Sequence, residues 1–124
     1  MKYISIDHEK VHIIRVESSE ILISDVSSAL DLMASIRHET GATRIILDKQ
    51  AIVEHFFDLK TCLAGEILQK FVIYRMKLAI IGNFHTVESK SLRNFIYESN
   101  KGNDIFFVED EQQAIEYLSR CLDI

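Results

Sequence analysis

Apolar positions along this chain fall into short unbroken runs separated by stripes of helical period, the alternation expected of βα units. The most continuous run is Lys77-Leu-Ala-Ile-Ile-Gly-Asn83, which reads as a strand over 77–82 buried on both faces and closed by a glycine. Helical patterns over 59–74 and 91–100 flank it, so the predicted class is α/β.

Before this strand, residues 3–6 and 11–16 are β-rich runs separated by the polar Asp7-His-Glu-Lys10, which predicts an antiparallel hairpin with the first strand at an edge. A short extended piece, Ile21-Leu-Ile23, leads to Ser24 and Asp25, either of which can cap a helix. That helix buries Val26, Ala29, Leu30, Met33 and either Ile36 or Arg37, turns Ser27, Asp31 and Ser35 outward, and ends before Gly41. Arg44-Ile-Ile-Leu-Asp48 is the next strand, made parallel to 11–16 by a right-handed crossover. Periodicity is lost over 49–57, which predicts a loop carrying Phe56 and Phe57. Asp58 is then expected to cap a helix burying Leu59, Cys62, Leu63, Ile67, Phe71 and Tyr74. Gly65 inside that helix suggests a close approach by backbone or ligand, since glycine there costs about 1 kcal/mol relative to alanine.

Past the central strand, Leu92, Phe95 and Ile96 face inward from a third helix that Gly102 stops, and Ile105-Phe-Phe-Val108 is the last buried strand. Asp110 and Gln113 form a capping-box pattern for a final helix with Ala114, Ile115, Leu118 and Cys121 on its apolar stripe. The expected architecture is one α/β domain over 1–124, a mainly parallel sheet with an antiparallel edge hairpin and four helices.

Composition narrows the function classes. Net charge is −5, which speaks against nucleic-acid partners and polybasic membrane contact. The charge is uneven, with seven basic against three acidic side chains over 60–101, so an anion is expected in that segment. Cys62 and Cys121 both fall on apolar stripes and read as reduced, buried, structural residues. The opening Met1-Lys-Tyr-Ile-Ser-Ile-Asp7 becomes charged too soon for a signal peptide, and no apolar run has the length of a membrane span, so a cytoplasmic location is expected.

Loops after parallel strands converge at one sheet edge, which places Asp48, His55, Asp58, Asn83, His85, Glu109 and Asp110 in the same region. Their spacing matches no metal-ligand or nucleophile pattern, and Asp58 and Asp110 read as caps. No catalytic residue, metal ligand or cofactor is therefore assigned. Ser89, Lys90, Ser91 and Arg93 open the third helix directly after the central strand and form a candidate anion seat, with Lys60 opening the helix before it. Phe106 and Phe107 read as core, whereas Phe56, Phe57 and Phe84 lie in predicted loops. There they make either a flat partner surface or the lining of a pocket shared with His85. The first of these suits a non-enzymatic cytoplasmic binding or regulatory module with a protein partner, monomeric or homodimeric. The second suits a small-molecule binder, for an anionic or apolar ligand, or a weak enzyme.

Three long blocks resemble the signature of a bacterial family known only as domain of unknown function 4180. They are Phe56-Phe-Asp-Leu-Lys-Thr-Cys-Leu-Ala-Gly-Glu-Ile-Leu-Gln-Lys-Phe71, Tyr74-Arg-Met-Lys-Leu-Ala-Ile-Ile-Gly-Asn-Phe84 and Ser89-Lys-Ser-Leu-Arg-Asn-Phe-Ile-Tyr-Glu-Ser-Asn-Lys-Gly102. More distantly, the element order is similar to the anti-sigma-factor antagonist (STAS) and SpoIIAA-like fold, a right-handed superhelix of βα turns. Phosphorylated STAS proteins read Asp-Ser-Ser-Gly-Leu-Gly before the second helix and are modified on the second serine by a partner kinase. The corresponding place here is Asp58-Leu-Lys-Thr-Cys-Leu-Ala-Gly65, with the serines gone, two residues added and Thr61 as the nearby hydroxyl. The resemblance thus implies the fold, and the departure speaks against a phosphorylation switch of the STAS kind at this place.

Overall fold

Glu9 and Lys10 both take positive φ, 50° and 69°, and so form the two-residue turn whose twist matches that of the strands it joins. The turn connects β1 (Lys2–His8) to β2 (Val11–Glu17) in antiparallel register from Lys2↔Glu17 to His8↔Val11. This computed structural model describes residues 1–121. The strands therefore run further than their β-rich cores at 3–6 and 11–16, and the polar break contracts to two residues.

Three βα units follow. α1 (Val26–Thr40) leads to β3 (Arg44–Asp48), α2 (Leu63–Ile73) to β4 (Lys77–Ile81) and α3 (Lys90–Lys101) to β5 (Ile105–Val108), after which α4 (Glu111–Arg120) closes the described chain. The sheet order is β1-β2-β3-β4-β5, with β2 to β5 parallel and β1 antiparallel at the edge. This is the α/β architecture expected from the pattern of the sequence. A right-handed crossover repeated in one direction puts every connecting helix on the same face. Accordingly Ala29, Met33 and Ile36 of α1, Leu63, Ile67 and Phe71 of α2 and Leu92 of α3 share one core with Ile14, Ile45, Leu47, Leu78, Ile80, Ile105 and Phe107.

The alternate residues of the same strands, Ile13, Ile46, Ala79, Phe106 and Val108, form the second core with Ala114 and Leu118 of α4. α4 packs on the face that the three connecting helices leave bare. Among the described residues two buried cations lie in this layer. Arg44 and Lys77 are adjacent in register and almost wholly buried. The Arg44 guanidinium donates to the Leu118 and Cys121 carbonyls at 2.9 and 3.1 Å, and Lys77 Nζ lies 3.3 Å from Asp104 Oδ1. Positive charge at a helix carboxyl end opposes the macrodipole favourably, so Arg44 fastens the end of α4.

The two outer edges differ. On β5 the Asn100 carboxamide accepts from Phe107 N–H at 2.7 Å and donates to Phe107 C=O at 3.1 Å, taking the place of another strand. Nothing among the described residues pairs with β1 on its outer side.

Several local expectations change. α2 begins at Leu63 rather than after Asp58, because Asp58 caps a separate 3-10 turn over Leu59–Thr61 by accepting from Lys60 N–H at 3.2 Å. Cys62 then occupies the corner with φ 64° and is exposed, contrary to the buried position expected for it; Cys121 is buried. Tyr74 lies just beyond the end of α2 and is 49% exposed instead of belonging to the buried stripe. Among the described residues a Cβ added to Gly65 would meet nothing within 4 Å, so the close approach expected there is not found on its side-chain side. The extended piece 21–23 forms a bridge between Ile23 and Ile52, which ties the segment after β3 to the start of α1.

Candidate functional site

Beyond β3 the chain makes three 3-10 turns, Lys49–Ala51, Glu54–Phe57 and Leu59–Thr61, rather than an open loop. The middle turn aims both aromatics inward, so Phe56 and Phe57 are core residues and not a surface patch. Phe57 continues into a row of rings. It lies 6.1 Å from Phe84, Phe84 lies 5.3 Å from Phe107, and Phe107 lies 5.9 Å from Phe95, the last two contacts edge-to-face. Such spacings are favourable for aromatic pairs and fix Phe84 at the end of β4.

Gly82 makes this placement possible. A Cβ there would come within 3.0 Å of Lys49 Cβ and 3.1 Å of Phe84 Cζ, so any side chain would push one of them aside. Lys49 Nζ stands 4.8 Å from the centre of the Phe57 ring and 3.8 Å from Glu54 Oε2. The loops after β3 and β4 thereby frame a cleft of about 570 Å³ at the carboxyl edge of the sheet, with Phe57, Phe84, Val87 and Leu92 as its apolar lining. Lys49, Glu54, His55, Asp58, Glu88 and Ser89 supply its polar rim. The size is ordinary for a small-molecule site, and the edge is the one at which open α/β sheets bind ligands. A depression of similar size, about 550 Å³, lies between α1 and 74–76, at the end of the sheet where strands begin.

Of the residues singled out in the sequence, the cleft brings together Phe57, Phe84 and Ser89 with His55 and Asp58. His85 lies outside it, exposed and paired with Glu109, while its N–H donates to Asn83 Oδ1 at 3.3 Å. Ser89 Oγ accepts from Leu92 N–H at 3.2 Å as the cap of α3, leaving the amides of Lys90 and Ser91 at the helix start without an intrahelical acceptor. Arg93 turns back along the loop and donates to the Val87 and Glu88 carbonyls at 3.1 and 2.8 Å, which commits its charge to holding the cleft wall. Asp48 leaves the group altogether. Both its oxygens receive Arg15 Nη2, at 3.1 and 3.2 Å, while Arg15 Nε reaches Glu111 on the α4 side of the sheet. Asp110 caps α4 by accepting from Gln113 N–H at 2.8 Å, and Gln113 Oε1 accepts from Glu109 N–H in return.

Thr61 is similarly engaged. Its hydroxyl hydrogen has the His55 and Asp58 carbonyls as acceptors at 2.9 and 2.8 Å, and its oxygen is 3.3 Å from Leu63 N. The hydroxyl thus knits two 3-10 turns together. Among the described residues no three His, Cys, Asp or Glu side chains converge to hold a metal ion. Sequence reasoning missed Lys49, Glu54, Val87, Glu88 and Leu92 as lining residues. The available signal was Gly82 followed closely by Phe84, a residue without a side chain beside one that needs space.

Sheet, crossovers and carboxyl-edge cleft together define a five-stranded α/β module with a concave carboxyl edge. Residues 8–118 match the family model described as domain of unknown function DUF4180, and the chain belongs to that family. No curated protein and no solved structure matches it. No helix among the described residues is long and apolar enough to cross a membrane.

Proposed function

We propose that this chain is a non-enzymatic, cytoplasmic ligand-binding module of STAS-like type, whose ligand is a small molecule with an apolar, ring-sized body. The observation that carries the proposal is the concavity between Phe57–Phe84 and Val87–Leu92, since a surface for a folded protein partner would be flat or convex there. The STAS-like element of the reading rests on the sequential strand order and the three crossover helices on one face, which a superhelix of βα turns generates. Fold alone assigns no activity.

The ligand's polar end meets Ser89 on the rim, directly before the Lys90 and Ser91 amides of the first turn of α3. An anionic group fits there because the helix amino terminus and the Lys90 charge both favour it. Glu54, Asp58 and Glu88 outnumber Lys49 around the rim and oppose a highly charged anion, so a monoanion on an apolar body suits the site better than inorganic phosphate.

The test is a ¹H–¹⁵N titration with benzoate, phenyl phosphate, benzylamine and inorganic phosphate. The expected result is movement of amides in 54–58 and 84–92 with benzoate, and less with the more highly charged phenyl phosphate, abolished by Val87→Trp, which fills the cleft. Absence of shifts at millimolar ligand, or shifts confined to 30–38 and 74–76, refutes the site.

A further inference from the structure

We propose that the open edge of β1 is the interface of a symmetric homodimer, in which two β1 strands pair antiparallel about a twofold axis at Ser5 and join two five-stranded sheets into one. The two-residue turn makes His8–Val11 the first hydrogen-bonded pair of the hairpin, and antiparallel pairing alternates from there. Ile6–Ile13 and Ile4–Arg15 are then also hydrogen-bonded pairs. The N–H and C=O groups of Tyr3, Ser5 and Asp7 consequently point outward along the edge.

These three residues are spaced so that the strand is complementary to itself. With Ser5 on the axis, Ser5 exchanges two backbone hydrogen bonds with the partner's Ser5, and Tyr3 does so with the partner's Asp7, giving six bonds across the interface. An isologous contact requires this kind of reciprocity. Side chains agree on both faces. The Tyr3 phenol meets the partner's Asp7 carboxylate, donor against acceptor. On the other face Ile4 meets the partner's Ile6, and both are only half-covered in the single chain. No two carboxylates are placed opposite each other, the two ends of the pairing set Lys2 against the partner's His8, and a serine is small enough for the axis.

Edge strands are ordinarily protected against such pairing by proline, a bulge or a covering element. β5 has its cover in Asn100, whereas among the described residues β1 has none of these: the chain contains no proline, the β1–β2 register runs without interruption and no element pairs with the outer side of β1. The open edge is therefore specific to one side of the sheet, which gives a closed dimer and not a filament.

Sedimentation equilibrium from micromolar to millimolar concentration, combined with amide exchange, tests this. The mass should rise from 14.3 kDa toward twice that value, and Tyr3, Ser5 and Asp7 amides should gain protection with concentration while Ile4 and Ile6 are protected throughout. Ser5→Pro removes one donor per copy without touching the hairpin bonds and should weaken the dimer at least roughly tenfold. In a Cys62→Ser background Ser5→Cys should form an intermolecular disulfide on mild oxidation, since a hydrogen-bonded antiparallel pair holds its Cα atoms about 5.5 Å apart, within disulfide range. Asp7→Cys should not, because its opposite residue is Tyr3. A chain that stays monomeric at millimolar concentration, or cross-links as readily through Asp7→Cys as through Ser5→Cys, overturns the proposal, even if Ser5→Pro fails to fold.

Discussion

Replacing Asn100 by alanine should open the β5 edge and destabilise the protein by about 1–3 kcal/mol. The figure follows from two neutral hydrogen bonds, each contributing about 0.5–1.5 kcal/mol net. Both involve the backbone of Phe107, a residue only 4% exposed, so water does not easily replace the lost carboxamide and the upper half of the range is expected. Urea denaturation gives the total. Amide exchange of Phe107 isolates the local effect, because its N–H is the donor in the shorter bond, 2.7 Å. Asn100→Asp sharpens the test. A carboxylate still accepts from Phe107 N–H but sets a second oxygen against Phe107 C=O, so this variant is also destabilised at neutral pH. Its folded carboxyl pKa is raised, because only the protonated form can donate. The difference from the parent protein therefore narrows as pH falls and is full once pH rises through that raised value. Unchanged exchange of the Phe107 amide in Asn100→Ala would refute the clamp.

Leu63→Ala should cost about 2–5 kcal/mol as a core truncation and Lys70→Ala well under 1, because Leu63 is buried and Lys70 lies at the margin of α2; equal losses in denaturant melts would mean that α2 faces the other way. Gly65→Ala should stabilise by about 0.4–1 kcal/mol, since a methyl group there meets nothing and the unfolded chain loses freedom, which thermal melts will detect. Gly82→Ala should do the opposite and shift the Phe84 ring resonances, because its Cβ collides with Lys49 and Phe84. The Ser28 backbone N–H and, secondarily, the Ser28 hydroxyl hold the Asp25 carboxyl below the ordinary aspartate range. Its contribution to α1 is complete above the unfolded value of about 3.9 and is lost as pH falls through the lower folded value. Asp25→Asn should remove that component from the acid melting profile while retaining the cap.

The sequence made the larger elements legible because they depend on period. Runs such as Ile105–Val108 and stripes such as Leu63, Ile67 and Phe71 report burial directly, and the helix–strand alternation carries the topology through the crossover rule. What period cannot carry was misplaced. The segment 49–61 has no repeat to read, since three short 3-10 turns orient each residue separately, and this turned Phe56 and Phe57 inward and Cys62 outward. Buried Arg44 and Lys77 stand at strand starts, where a cation ordinarily signals solvent. Their partners lie 74 and 27 residues away in sequence, beyond any local pattern. For the site, proximity at the carboxyl edge was readable for Phe57, Phe84 and Ser89. Side-chain direction was not: Arg93 and Asp48 each chose a partner that spacing alone does not specify.

The placement of α4 alone on its face of the sheet has a consequence for the order of assembly. The core of α1, α2 and α3 is complete once β5 is in place, but Ile13, Ile46, Ala79 and Phe106 wait for a helix made after every strand they belong to. The chain is made from the amino terminus onward, so a chain synthesised through β5 but without α4 presents a broad sheet surface of isoleucine and phenylalanine to its surroundings. α4 thus acts as the latch of the nascent chain, and interruption of synthesis shortly after Val108 should leave a product that is nearly folded and strongly adhesive.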